Sequence, residues 1–323
     1  MQYIFLLILS SFLLLLTRVI SVRLNLFDVP DNVKIHKDKV PNIAGLALIP
    51  FSFFIIYYFE FNDIIIKTLY LFIIVVLIGL IDDINNIKPI FKLLALFLPI
   101  YFFTVYVGEV KTLGYYEYFN LNLGYFSLIF TVLCIFLLTN AFNYIDGIDG
   151  LFATNVLITL IFFQFLTYET YNLFTSLSIF LFVYLLFNIN FLKVFPKQFI
   201  GDSGSLGLGF LISTFLIIYT QIENILHPSV VIWFVAFVVY EFLTINIIRI
   251  KLKKNIFKRD LNFIFNLLSK NYSKTKSLII CNILHISLCS ISLIIHYSKI
   301  YLFSLILFFI LFIFYLIFRI RQI

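Results

Sequence analysis

The chain reads as an all-α polytopic membrane protein, and three observations carry that reading. Of 323 residues, 63% are hydrophobic and only 12% charged, against roughly 25% charged in soluble domains. Apolar runs near the ~20 residues needed to cross a bilayer recur almost end to end. These runs are continuous rather than alternating, which argues against a closed β-barrel. No period of 20–50 residues recurs, so residues 1–323 form a single membrane domain.

Eleven segments read as spans, near residues 3–20, 43–59, 64–81, 93–107, 124–141, 151–167, 173–192, 206–222, 229–248, 277–295 and 300–318. The first lacks a basic start and a small-x-small cleavage site, so it reads as a retained helix rather than a signal peptide. The fourth is the shortest. Connections on one side are brief, except Gly108–Gly124, which is rich in Tyr and Asn and suits the outer interface. Those on the other side are longer and more polar: about 21–42, 82–92, 142–150, 193–205 and 249–276. Within the last, Leu261–Leu268 has the pattern of a short amphipathic helix lying in the membrane plane.

Lys and Arg orient the chain, because cytoplasmic loops carry their excess. With the N-terminus outside and the C-terminus cytoplasmic, 20 of the 23 fall inside, and only Lys67, Lys111 and Lys299 fall outside. The same asymmetry accounts for the net charge of +7. No basic, aromatic-interleaved soluble module exists, so nucleic acid is not an expected partner. Cys134, Cys281 and Cys289 lie in spans. The last two, eight residues apart on one helix, are too distant for a disulfide.

Three polar patches stand out, all on the inner side. Six of the eleven glycines fall in two of them, Asn143–Gly150 and Gly201–Gly209. The third is Asp82-Asp83, with Asn85, Asn86 and Lys88. Carboxylates beside hydrocarbon are costly and tend to be functional. Asn143, Asp146 and Asp149 are spaced i, i+3, i+6 and would follow one face of a helix; capping would explain one such residue but not three. Asp82 and Asp83 need a nearby cation, either Lys88, Lys92 or a divalent metal, since Mg²⁺ takes carboxylate oxygens together with water and phosphate. The backbone N–H groups of Gly201-Asp202-Ser203-Gly204-Ser205 open a span where they suit phosphate oxygens, or simply a capped, tightly packed helix. Glu241 lies inside the ninth span, a functional candidate or the partner of a polar group on another helix. Of four histidines only His36 is in an inner loop, between Lys34 and Lys37; His285 reads as packed within a span. Together the patches suggest metal-assisted chemistry on phosphates at a membrane surface.

From about Asp28 to Leu268 the chain resembles the polyprenyl-phosphate N-acetylhexosamine-1-phosphate transferases. The matching motifs are Lys34-Ile35-His36 through Pro41 and Gly45, then Gly79-Leu80-Ile81-Asp82-Asp83 with Lys92. Thr139-Asn140-Ala141-Phe142-Asn143 follows, leading into Asp146-Gly147-Ile148-Asp149-Gly150, and then Phe199-Ile200-Gly201-Asp202-Ser203-Gly204-Ser205. The chain departs from the family at Glu241, where Asp is usual, at Ala44 for Gly, and at Leu96 for Gln. In the last inner loop Phe263, Phe265 and Asn266 stand at positions that relatives fill with histidines.

The resemblance implies transfer of a sugar-1-phosphate from a UDP-sugar to polyprenyl (undecaprenyl) phosphate, releasing UMP. Such a step initiates a cell-envelope polysaccharide, O-antigen or wall polymer, on the cytoplasmic face of the bacterial inner membrane. By motif, Asp202 would hold Mg²⁺, or Mn²⁺ in its place, with Asp82 and Asp83 as further ligands that steer the lipid phosphate. Asn143 and Asp146 would complete the acidic site and Asp149 would sit toward the nucleotide. Lys34, His36, Asn188, Lys197 and Arg249 are the remaining substrate-binding candidates. A homodimer is compatible with the sequence. Two other readings stand beside this one: a transporter or flippase, whose broken helices also gather acidic residues and glycines, and a family member that has lost catalysis along with the loop histidines. The CDP-alcohol phosphotransferases are set aside, since Thr154 stands where that pattern needs Arg.

Overall fold

A computed structural model describes residues 2–30, 38–167, 170–190, 194–255 and 261–322. Helices α1 (Gln2–Arg23), α2 (Ala44–Tyr58), α3 (Asp63–Asn85), α4 (Pro89–Tyr106), α5 (Ser127–Ile145) and α6 (Leu151–Leu166) make up the first half. They are followed by α7 (Tyr171–Asn188), α8 (Gly201–Ile222), α9 (Pro228–Lys251), the short α10 (Ile264–Asn271), α11 (Lys274–Ser298) and α12 (Tyr301–Ile320). Among the described residues, nine helices are long and apolar enough to cross a membrane; α2 and α6, in the second and sixth expected segments, are shorter. The chain is therefore a multi-pass helical membrane protein.

Two small antiparallel hairpins interrupt the all-helical pattern. β1 (Phe27–Asp28) pairs with β2 (Val40–Pro41), and β3 (Thr112–Tyr115) with β4 (Asn120–Asn122). The second lies in the Tyr- and Asn-rich connection 108–124, the long one expected on the outer side. The amphipathic helix of the last inner loop starts at Ile264, three residues later than expected.

The innermost helix is α8, almost wholly buried and packed chiefly against α3 and α5. Close packing is possible because its first turns carry only Gly, Ser, Asp and Leu, and small residues let helix backbones approach within a membrane. Gly79 of α3 faces this surface so tightly that a Cβ there would strike the backbone of Asp202 and Ser203. The segment before α8 is held in place by main-chain bonds: Phe199 N–H donates to Pro41 C=O at 2.8 Å and Gly45 N–H to Ile200 C=O at 2.8 Å.

The junction of α3 and α4 follows from local chemistry. Asn86 takes the left-handed conformation (φ 47°) that ends a helix, and its N–H returns to Asp82 C=O. Pro89 then opens α4 at a position where its missing N–H costs nothing. The reversal lays the first turn of α4, with Lys92, against the last turn of α3.

Candidate active site

Four helix ends meet at one point. Asp82 and Asp83 stand on the last turn of α3, Lys92 on the first turn of α4, Asn143 on the last turn of α5 and Asp202 on the first turn of α8. The Lys92 ammonium lies between two carboxylates, 2.9 Å from Asp82 Oδ2 and in contact with Asp202 Oδ2. Asp202 Oδ1 accepts a hydrogen bond from Asn143 Nδ2 at 3.0 Å, and the same amide reaches Ser205 Oγ at 2.8 Å. Asp82 Oδ1 accepts the Ile87 N–H at 2.9 Å, which ties the α3–α4 turn to the cluster.

Asp83 does something the sequence reading did not anticipate. Its Oδ1 accepts the Asp202 N–H at 2.7 Å, and its Oδ2 accepts the Ser203 N–H at 3.0 Å. A carboxylate from α3 therefore caps α8, satisfying two of the orphan donors at a helix start and countering its positive dipole end. The expectation that these N–H groups are offered to a phosphate does not hold for Asp202 and Ser203, because an internal anion already takes them. Among the described residues no three Asp, Glu, His or Cys groups gather as a ready metal site. Asp82 and Asp202 nonetheless direct one oxygen each at a single cation, the Lys92 ammonium.

Asn143, Asp146 and Asp149 do not share a helical face. α5 stops at Ile145, Asp146 is its C-cap with ψ 65°, and Asp149 lies in the turn before Gly150, whose φ of +85° starts α6. That loop is pinned from outside. Asn188 Oδ1 accepts the Gly150 N–H at 2.6 Å while its Nδ2 donates to Gln198 C=O at 3.3 Å. Lys197 Nζ pairs with Asp149 Oδ2 at 2.6 Å. Two of the substrate-binding candidates, Asn188 and Lys197, thus shape the loop that carries the acidic residues. Lys34 and His36 lie outside the described residues.

A cavity of about 860 Å³ opens over these groups. Its polar wall holds Asp82, Asp83, Lys92, Asn143, Asp146, Asp149, Asn188 and Asp202, and Arg249 and Lys274 add positive charge. Leu133, Phe136 and Leu137 of α5 give it an apolar flank. Arg249 is buried, with its guanidinium 5.4 Å from the Tyr144 ring centre and 5.6 Å from that of Phe263. Phe263 and Asn266, two of the three residues at the family's histidine positions, line the cavity. The third, Phe265, packs on Gly147, beside Asp146.

Sequence reasoning named Lys92 as one of two cations near the aspartates and as part of the matching motif, but it passed over Asn246 and Lys274, which also line the cavity. Lys274 lies over 70 residues beyond Asp202, and no spacing rule links it to the patches.

Comparison with known proteins follows this geometry. Residues 65–220, from α3 through α8, match the model of glycosyl transferase family 4. The undecaprenyl-phosphate alpha-N-acetylglucosaminyl 1-phosphate transferase of Escherichia coli K12 is 25% identical over 305 residues, covering 90% of this chain and 82% of that one. The protein of the same name from Thermotoga maritima is 28% identical over 275 residues, covering 84% and 83%. The phospho-N-acetylmuramoyl-pentapeptide-transferase of Nautilia profundicola is 30% identical over 244 residues, covering 65% and 66%. Every acidic residue of the cluster, Asp82, Asp83, Asp146, Asp149 and Asp202, lies inside the matched region, and the chain belongs to glycosyl transferase family 4, a family of transferase enzymes.

Proposed function

We propose that this protein transfers an N-acetylhexosamine-1-phosphate from a UDP-sugar to polyprenyl phosphate and releases UMP. The observation that carries the reading is the single cavity in which Asp82, Asp202, Asn143, Lys92 and Arg249 meet beside an apolar flank. It offers opposite charges for a diphosphate and an oily path for a lipid. An anionic oxygen of the lipid phosphate attacks the β-phosphorus of the donor. The bond from that phosphorus to the oxygen bridging the two phosphates breaks, and UMP leaves with that oxygen. The attacking oxygen is already ionised near neutral pH, so no side chain has to remove a proton from it. Phosphoryl transfer of this kind depends on positioning and charge neutralisation.

Asp202 and Asp82 fit a Mg²⁺ ion, with Mn²⁺ as the alternative, because Mg²⁺ is held by one or two carboxylates plus water and substrate phosphate. Bound there, the ion would neutralise charge on the transferring phosphate. Lys92 would turn from the two carboxylates toward phosphate oxygens. Arg249, stacked on Tyr144 and Phe263, presents its charge to the donor diphosphate. Asp83 keeps the start of α8, and so Asp202, in place. The 20-to-3 distribution of Lys and Arg supports a cavity facing the cytoplasm at a bacterial inner membrane. Envelope polysaccharide initiation is the role that fits this product.

The test is UMP release by purified protein supplied with polyprenyl phosphate, Mg²⁺ and a panel of UDP-N-acetylhexosamines. Turnover of at least one donor is expected. Silence with all of them, from a folded preparation, overturns the reading.

A further inference from the structure

Helix α12 is apolar, with one side exposed and the other only partly buried against the core, and only Ser304 and Arg319 are fully buried on it. A fully buried arginine on such a helix needs strong compensation. It comes from Glu241 on α9, also fully buried. Arg319 Nη2 lies 3.1 Å from Glu241 Oε1 and Nε 3.3 Å from Oε2. Tyr315, one turn earlier on α12, donates its hydroxyl to Oε2 at 2.5 Å.

The pair does more than tie two helices together. Glu241 Oε1 also accepts the Ile264 N–H at 2.6 Å, and Arg319 Nη2 donates to Asn262 C=O. The main chain is therefore gripped immediately before and immediately after Phe263. Phe263 meets Tyr144 edge-on (6.2 Å, 80°), stacks on Phe265 (5.1 Å, 18°) and lies under the Arg249 guanidinium. Phe265 in turn rests on Gly147, next to Asp146.

We infer that Glu241 and Arg319 are positioning residues for the donor side of the cavity. Their ion pair clasps residues 262–264 so that the Phe263 and Phe265 rings hold Arg249 and the Asp146–Gly147 turn where the sugar diphosphate binds. This rests on the transfer reading above. The clasp lies beyond residues 65–220, the part of the chain that matches the family model.

The test compares wild type with Arg319→Gln, Arg319→Lys, Tyr315→Phe and the double variant Glu241→Met/Arg319→Met. Each is assayed with the UDP-sugar and the polyprenyl phosphate varied in turn. Replacing a buried ion pair by apolar side chains of similar volume commonly preserves folding, so the double variant separates anchoring from positioning. Arg319→Gln and the double variant are expected to raise KM for the UDP-sugar about tenfold, leaving KM for the lipid within about twofold. Arg319→Lys should recover part of the loss. Tyr315→Phe, which removes one hydroxyl, should raise donor KM about threefold and decides the matter if the others do not fold. Hydrogen exchange at Ile264 should quicken in Arg319→Gln, a readout independent of turnover. A folded double variant with unchanged donor KM, or equal changes in both KM values, overturns the clasp. A wild type silent with every donor overturns the transfer reading instead.

Discussion

Asp83 Oδ1 accepts the backbone N–H of Asp202 at 2.7 Å. Two aspartates 119 residues apart are thus joined side chain to main chain, and their tasks separate. One ends its reach on a helix start, while the other faces the cavity with Lys92 and Asn143.

Opposite phenotypes follow for the two. Asp83→Ala leaves two buried N–H donors unpaired, at about 1–3 kcal/mol each, and should lower the midpoint of thermal unfolding in detergent. Asp83→Asn, which keeps one acceptor, should fall between. Asp202→Asn should fold normally yet lose turnover by ~10³-fold, and chelator should silence wild type to a similar level. Near-normal turnover of wild type in excess chelator would remove the metal from the proposal.

Gly79→Ala should be disproportionately harmful for the addition of one methyl group. The new Cβ would meet the Asp202 carbonyl and the Ser203 backbone, which cannot rotate away as a side-chain end could. Forcing α3 and α8 apart should cost about 1–3 kcal/mol and draw Asp83 from its donors. Activity should fall, and excess Mg²⁺ or donor should not restore it. A variant with wild-type turnover and stability would show that this contact has slack.

Cysteine accessibility in intact cells checks the orientation. Single cysteines at Asp82, Asp149 or Asp202 should resist an impermeant reagent added outside, whereas Tyr116 and His227 positions should react. Cys281 and Cys289 are buried and Cys134 partly so, so a Cys134→Ser background should be quiet. Outside labelling at Asp202 would reverse the topology and the proposed substrate access together.

The histidine-free loop gives a further prediction. Phe263 and Phe265 offer ring faces to Arg249 and Gly147 where imidazoles would offer hydrogen bonds. Wild type should still turn over at least one UDP-sugar, since the acidic cluster is complete. A Phe263→His/Phe265→His double variant should change the ranking of donors by about 1–3 kcal/mol in kcat/KM. If wild type is inert and the double variant gains activity, the chain has lost catalysis and the functional proposal falls.

The membrane class, the helices and the three polar patches could be read directly, because hydropathy and Gly–Asp clustering are properties of neighbouring residues. Cys281 and Cys289 buried on one helix, His285 packed inside a span, and an amphipathic helix in the last inner loop follow from the same local rules. Helical periodicity misread Asn143, Asp146 and Asp149, because it takes the helix to continue and α5 ends at Ile145. What joins Asp83 to Asp202, Lys92 to Asp202, and Arg319 to Glu241 is contact between elements distant in sequence. The sequence shows that each charge near hydrocarbon needs a partner. Which partner it takes depends on how the helices pack, and the small residues of α8 allow α3 and α5 to close in on it.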